Sequence, residues 1–104
     1  MQRRQRQIQP TDLKARAIGA AVRELRVRAG QSQERLSGEC GFDRTYISRV
    51  ERGIINPTVG RLWKIADALE IPLNQVAKRM EVWIASQERA GARGDQARGD
   101  PKRP

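Results

Sequence analysis

The chain has 104 residues, in which 21 lysines and arginines outnumber 12 aspartates and glutamates and produce a formal net charge of +9. This length accommodates one small domain with a modest core. Because the chain has no histidine and a single cysteine, Cys40, its sequence excludes an internal disulfide, an ordinary zinc site and catalysis by a histidine base. We therefore expect neither an enzyme nor a bound metal or cofactor.

The positive charge is not confined to the two ends. Residues 13–87 carry +5 of the total, so the part expected to fold is itself basic. This favours a polyanion as partner, nucleic acid before an anionic membrane; an arginine-rich surface without a specific ligand is the alternative. The N-terminus lacks the apolar segment of a secretory signal, and no apolar run approaches the roughly 18 residues that span a bilayer. We expect a cytoplasmic protein without a membrane partner.

The two ends differ in composition from the rest. Residues 1–11 are rich in glutamine and arginine, and residues 90–104 mix glycine and proline with arginine, aspartate and glutamine. Neither segment can bury enough apolar surface to offset the entropy of ordering it. We predict a disordered basic arm at 1–11, an ordered domain at 12–89 and a disordered tail at 90–104.

Within the domain the apolar residues recur at helical spacing, and no stretch alternates with the period of a strand. Gly30 and Gly53 are helix stops, whereas Ser32, Asp43 and Thr58 are suited to cap the helices that follow them. The predicted fold class is therefore all-α. The predicted helices span residues 13–29, 33–40, 44–52, 59–70 and 72–89.

The third predicted helix has two unlike faces. With a rotation of about 100° per residue, Ile47 and Val50 lie together on an apolar side. The other side, which we call the front face, carries only hydrogen-bond donors and cations. Such groups match guanine acceptors, other base edges and phosphates; a solvated polar face is the alternative interpretation. The front face consists of Arg44, Thr45, Ser48, Arg49 and Arg52.

Glu51 lies on the inner side of the same helix. An unpaired carboxylate there would cost several kcal/mol, on the order of a buried-charge penalty. A cation is therefore expected opposite it, and Arg26, near the end of the first helix, is the candidate partner.

About a dozen residues between positions 18 and 77 follow one pattern of spacing. They are Val22-Arg23-x-Leu25-Arg26, Gly30-x-Ser32-Gln33-Glu34-x-Leu36, Gly41-Phe42-x5-Ser48-x-Val50-Glu51-x-Gly53, Asn56-Pro57-Thr58 and Leu62-x2-Ile65-Ala66-x-Ala68-Leu69. This pattern resembles the Cro/C1-type (XRE-like) helix-turn-helix family of bacterial and phage regulators, and it is more specific than any single short motif. A narrower likeness, from Asp43 to Ser48, is to the recognition helix of restriction–modification controller proteins.

The resemblance implies a five-helix, lambda-repressor-like domain in which helix 33–40 positions helix 44–52 in the major groove of double-stranded DNA. It implies a sequence-specific transcriptional regulator, such as a repressor, that binds an inverted-repeat operator as a homodimer. Arg26 and Glu51 match a buried pair of the family. Tyr46 lies at the helix flank, where packing against the neighbouring helix is an equal alternative to DNA contact. The residues implied to contact DNA are Gln33, Arg44, Thr45, Tyr46, Ser48, Arg49, Arg52 and Asn56.

The fifth predicted helix extends past the expected core. Met80, Trp83 and Ile84 follow the helical spacing beyond the residues needed to complete one domain, so we predict that they form the dimer interface. In the alternative interpretation, Trp83 folds back onto the first helix.

Two other functions remain open at this stage. One is an antitoxin-like protein-interaction module that also binds DNA, in which the tail folds on a protein partner. The tail is short, glycine-rich and nearly free of apolar residues, which argues against such a segment. The other is DNA coating that uses the positive charge without distinguishing sequences.

Overall fold

Five α-helices and no strand make up the part of the chain that the structure describes, which confirms the predicted all-α fold. The structure is a computed structural model; it describes the backbone of residues 12–99 and the side chains of residues 12–91. The predicted basic arm at 1–11 lies outside the described residues. The helices are α1 (Leu13–Arg28), α2 (Gln33–Cys40), α3 (Tyr46–Glu51), α4 (Val59–Ala68) and α5 (Leu73–Gly99).

The helices pack around α1, which contacts both α3 and α5, while α2 packs against α3 and α4. The shared core includes Val22 from α1, Leu36 from α2, Ile47 from α3, Ile65 from α4 and Val76 from α5, all fully buried. Burying an aliphatic side chain of this size stabilises the fold by roughly 1.5–3 kcal/mol. A helix as short as α3 is marginal in isolation, so its position depends on this packing.

Side-chain caps begin three of the helices. Ser32 Oγ and Thr58 Oγ1 each accept a hydrogen bond from the backbone N–H three residues later, at 3.0 and 3.1 Å. Both caps agree with the sequence prediction. Asp12 caps α1, where its carboxylate accepts from the N–H two residues later at 2.9 Å.

The start of α3 differs from the prediction. The helix begins at Tyr46 rather than at residue 44, and the Asp43 side chain is not its cap. Tyr46 N donates to Asp43 O at 2.9 Å, so a tight turn precedes the helix. The Asp43 carboxylate accepts from the Thr45 hydroxyl at 2.7 Å, and Thr45 makes no capping bond to α3. Arg44 and Thr45 therefore lie in the turn rather than in the helix.

Left-handed residues end four of the helices. Three of these residues are glycines with φ between +72 and +76°, whereas α4 is followed by Glu70 with φ of +59°. There Glu70 N donates to Asp67 O and Ile71 N donates to Ala66 O, both at 3.0 Å. This is the hydrogen-bond pattern of a glycine-terminated helix, so Glu70 carries backbone strain that a glycine would avoid.

α5 is longer than predicted. It continues to Gly99, beyond the end predicted at residue 89, and the predicted disorder of the tail at 90–104 stays a prediction. Alanine, arginine and glutamine make up most of residues 90–99 and are good helix formers. Each residue added to an existing helix forms one more backbone hydrogen bond. A helix can therefore continue through a segment that could not initiate a helix by itself. Residues 100–104 lie outside the described residues.

Candidate nucleic-acid interface

A buried network around Glu51 holds the inner side of α3. Arg26 Nε and Nη2 donate to the Glu51 carboxylate at 2.6 and 3.0 Å. The side chains of Arg26 and Glu51 are only 10% and 3% exposed. The hydrogen bond to Glu51 raises the pKa of Arg26, and Arg26 Nη1 also donates to Gln31 O at 2.8 Å. The structure thus contains the ion pair that the inward direction of Glu51 predicts.

Gln33 completes this network. It is the first residue of α2, is half-buried, and donates from Nε2 to Glu51 Oε1 at 2.8 Å. Gln33 therefore joins the start of α2 to the end of α3 and stabilises the angle between the two helices. Its expected contact with a DNA phosphate stays a prediction.

Two further features fix α3, and the predicted site included neither of them. Ser37 Oγ, fully buried in α2, accepts a hydrogen bond from Ile47 N at 3.2 Å and so caps the first turn of α3 from a neighbouring helix. Gly19 lets α1 approach the end of α3, because a Cβ at this position would collide with Val50 O and lie 2.7 Å from Glu51 O. Two features of the sequence could have indicated these contacts: a serine at a core position of α2 and a glycine within α1.

The front face lies on α3 and in the turns at its two ends. Arg44, Thr45 and Arg52 are exposed, while Ser48 and Arg49 are half-buried. Asn56, in the loop before α4, is exposed as well. The guanidinium groups and hydroxyls of the front face thus remain accessible beside a helix whose other side is buried in the core.

One carboxylate lies among these donors. Asp43 Oδ2 accepts from Thr45 Oγ1 at 2.7 Å and lies 3.4 Å from Arg49 Nη2. The Thr45 hydroxyl lowers the pKa of Asp43, and the charge of Arg49 contributes less. The Asp43 side chain is 61% exposed. Two of the residues predicted to contact DNA are therefore engaged with an acidic neighbour in the free chain.

An aromatic pair beside α3 carries two guanidinium groups. The rings of Phe42 and Tyr46 lie 4.5 Å apart between centroids, and Arg61 Cζ lies 5.2 and 4.9 Å from them. Arg49 Cζ lies 5.9 Å from the Tyr46 ring. Tyr46 is only 6% exposed, so its ring packs in the free chain, and its contact with DNA stays a prediction. The predicted site lacked Arg61, because only the packing of α4 brings this residue next to α3.

The three residues predicted to form a dimer interface face α1. Met80, Trp83 and Ile84 are half-buried, and Met80 and Ile84 line an apolar groove of about 250 Å³ between α1 and α5. The Trp83 ring lies 5.4 Å from Arg16 Cζ. Trp83 therefore contacts the first helix in the single chain, and its part in a dimer interface stays a prediction.

Large apolar side chains are more exposed elsewhere. Val59 and Trp63, one turn apart on α4, are 64% and 53% exposed, and Val82 on α5 is 41% exposed. A pair of exposed apolar residues at this spacing forms one continuous strip on the helix surface.

The thiol of Cys40, the single cysteine of the chain, is buried. Cys40 Sγ donates to Lys64 O at 3.7 Å, and burial raises the pKa of the thiol, which makes Cys40 a packing residue. Within the described part of the chain, no group of three or more cysteine or acidic side chains is arranged to hold a metal ion. Among the described helices, none has the length and apolar content needed to cross a membrane.

Known proteins share this sequence pattern. The profile of the Helix-turn-helix family matches residues 22–76, from α1 into α5. The chain is 42% identical over 65 residues to the Neisseria hypothetical transcription factor of Neisseria meningitidis serogroup B, a match that covers 62% of this chain and 60% of that protein. The chain thus spans less than two thirds of the length of this relative.

Solved structures share the fold as well. The clp gene regulator ClgR from Corynebacterium glutamicum aligns with a TM-score of 0.73 at 27% identity, over 82% of this chain and 87% of that chain. The restriction–modification controller C.Esp1396I, a tetramer in complex with its natural 35 base-pair operator, aligns with a TM-score of 0.57 at 28% identity, over 64% of this chain and 93% of that chain. These similar proteins are regulators rather than enzymes. The chain belongs to the helix-turn-helix family, whose profile matches more than half of its residues.

Proposed function

We propose that the chain is a sequence-specific, double-stranded DNA-binding transcriptional regulator whose α3 enters the major groove. The observation that carries this proposal is the contrast between the two sides of α3. Its inner side is anchored by Arg26, Gln33 and Ser37 at distances of 2.6–3.2 Å, and its outer side presents cations and hydroxyls. A helix held in this way loses little further entropy on binding, so its donors can discriminate between base pairs.

The front face divides into two proposed roles. Arg44, Thr45, Ser48 and Arg49 lie at or within the first turn of α3, where recognition helices of this kind contact base edges. Arg52 follows the last turn of α3, and Asn56 lies in the loop beyond it, so we assign these two to the phosphate backbone. Contacts of the first class determine sequence preference, and contacts of the second determine affinity and its dependence on salt.

We propose further that the regulator binds an inverted repeat as a homodimer, through the α5 residues Met80, Trp83 and Ile84. Support comes from the groove that Met80 and Ile84 line, because an apolar groove open to solvent can receive side chains of a second copy. Its structural relative C.Esp1396I is a tetramer on its operator. Because the similar proteins are regulators of bacteria, in which DNA lies in the cytoplasm, we propose that this chain is cytoplasmic as well.

The test of the function is selection from a pool of random duplexes at low and at moderate salt. We expect an inverted repeat with half-sites about 10–11 base pairs apart that persists as the salt concentration rises. Recovery of no motif, together with binding that is lost steeply with salt, would show that the net charge alone binds DNA. The coating function would then replace the proposal.

The two tryptophans supply a matched pair of variants for the dimer interface. Sedimentation of the protein on an operator-length duplex should show dimers for the unmodified chain and for Trp63→Ala, and monomers for Trp83→Ala. Monomers for Trp63→Ala alone would place the interface on α4 instead. Monomers for all three proteins would contradict dimerisation.

A further inference from the structure

Asp43 is an unusual residue in a surface proposed to bind a polyanion. It lies next to Arg44 and contacts Thr45 and Arg49, so its carboxylate stands within the set of side chains assigned to base edges. A negative charge at this place repels the phosphates of any duplex that approaches α3. This repulsion must be offset by a favourable contact if the residue is compatible with DNA binding.

The carboxylate does not cap α3 itself, because the backbone N–H groups that it contacts belong to Arg44 and Thr45 in the preceding turn. The turn before the helix is closed by the backbone bond between Tyr46 N and Asp43 O at 2.9 Å, which any residue at position 43 could form. The N–H of Ile47 is satisfied by Ser37 Oγ at 3.2 Å. With the side chain 61% exposed, solvent screens the contact between Asp43 and Arg49. The side chain therefore contributes to the turn before α3, and its exposed carboxylate remains available to another partner.

We propose that Asp43 is a specificity-determining residue that accepts a hydrogen bond from the exocyclic amino group of a cytosine or an adenine in the major groove. This proposal rests on the proposed function. A carboxylate carries acceptors only, and in the major groove only these two bases present an amino donor. Both side-chain contacts of Asp43 are made by Oδ2, so within the described residues Oδ1 has no side-chain donor.

The contacts with Thr45 and Arg49 give the same residue a second effect. In the free chain the carboxylate holds both side chains, at 2.7 and 3.4 Å, and restricts their access to other acceptors. On a duplex without an amino group at the right position, the carboxylate would face base acceptors and phosphates, which repel its negative charge. Asp43 thus weakens binding to unrelated sequences more than binding to the operator.

The experiment compares Asp43→Ala with Asp67→Ala. Asp67 is an exposed carboxylate on α4, so both variants remove one negative charge from the surface by the same substitution. Each protein is used for selection from the random duplex pool, and its affinity is then measured for the selected duplex and for a scrambled duplex of equal length. Thermal unfolding of both variants monitors the fold.

We expect Asp43→Ala to tighten binding to the scrambled duplex by about tenfold and to lose the preference for cytosine or adenine at one position of each half-site. Asp67→Ala should change both affinities by about twofold or less and leave the selected motif unchanged. The ratio of operator affinity to scrambled affinity therefore falls only for Asp43→Ala.

Three outcomes would overturn the proposal. If both variants tighten binding to both duplexes by the same factor and select the same motif, Asp43 acts through net charge alone. If Asp43→Ala unfolds at a much lower temperature than Asp67→Ala, the carboxylate has a structural role. If the unmodified protein selects no motif, the proposed function fails and the base contact fails with it, which distinguishes this result from the other two.

Discussion

Glu51 and Asp43 are both carboxylates that contact an arginine at an end of α3, yet their surroundings differ in almost every physical respect. The Glu51 side chain is 3% exposed and accepts three hydrogen bonds at 2.6–3.0 Å from α1 and α2. The Asp43 side chain is 61% exposed, and its Oδ2 lies 3.4 Å from Arg49. The Glu51 carboxylate links α3 to α1 and α2, whereas the Asp43 carboxylate contacts only nearby residues on the protein surface.

The difference shows how burial decides what a charge does in a small basic domain. Removing one partner of a buried pair leaves a charge that water cannot solvate, so the pair is tied to the folded state. An exposed pair is screened and exchanges readily with water, so its members remain available to another ligand. The inner side of α3 should therefore respond to mutation through stability, and the front face through DNA binding.

The largest loss of stability should come from Glu51→Gln, which disrupts the buried ion pair on the inner side of α3. The substitution keeps the size of the side chain but leaves the Arg26 guanidinium buried without its counter-charge, so the free energy of unfolding should fall by roughly 3–5 kcal/mol. Urea denaturation followed by circular dichroism measures this loss. The matched control is Glu39→Gln, which breaks an exposed pair with Arg35 and should cost less than about 1 kcal/mol. Equal losses for the two variants would contradict the role given to burial.

A variant at Gly19 tests the close approach of α1 to the inner side of α3. Gly19→Ala places a methyl group against the carbonyls of Val50 and Glu51, which are backbone atoms that cannot move independently of α3. The free energy of unfolding should fall by about 1–3 kcal/mol. Gly38→Ala is the control, because a Cβ there meets nothing within 4 Å and should stabilise α2 by roughly 0.5–1 kcal/mol. A gain in stability for Gly19→Ala would show that the helices are not packed as described.

On the front face, Arg49→Ala and Arg52→Ala should leave stability unchanged and reduce DNA affinity in different ways. Loss of a base contact by Arg49→Ala should cost about 1–3 kcal/mol of binding energy and relax the preference at one base position. Loss of a phosphate contact by Arg52→Ala should weaken all sequences alike and flatten the salt dependence. Titration of operator and scrambled duplexes at several salt concentrations separates the two. A base-selective loss for Arg52→Ala would move this residue into the base-contacting group.

The smallest change in stability is expected at two left-handed positions that contact neither side of α3. Glu70→Gly removes the strain of a left-handed glutamate after α4 and should raise the free energy of unfolding by about 1 kcal/mol. Gly30→Ala, at a left-handed position with open space around it, should lower it by a similar amount. Thermal unfolding of both variants provides the measurement. A loss of stability for Glu70→Gly would mean that the glutamate side chain makes a compensating contact.

Much of the architecture was predictable because its causes are local. The number of helices follows from the periodicity of apolar residues, and the caps at Ser32 and Thr58 follow from residues that bond to their own backbone. The partner of Glu51 was predictable because a carboxylate on an inner face needs a cation. The extension of α5 was missed, since composition does not show that a helix already formed can continue through a weak stretch.

The sequence by itself determined that the chain is a basic, all-α helix-turn-helix protein whose third helix has a polar face opposite its buried residues. Only the tertiary structure decided where the side chains point and what they contact. Arg61 reaches the Phe42–Tyr46 rings from another helix, and Trp83 turns back to Arg16. The physical reason is that helical periodicity acts between residues three or four apart, whereas these contacts depend on how whole helices pack against each other.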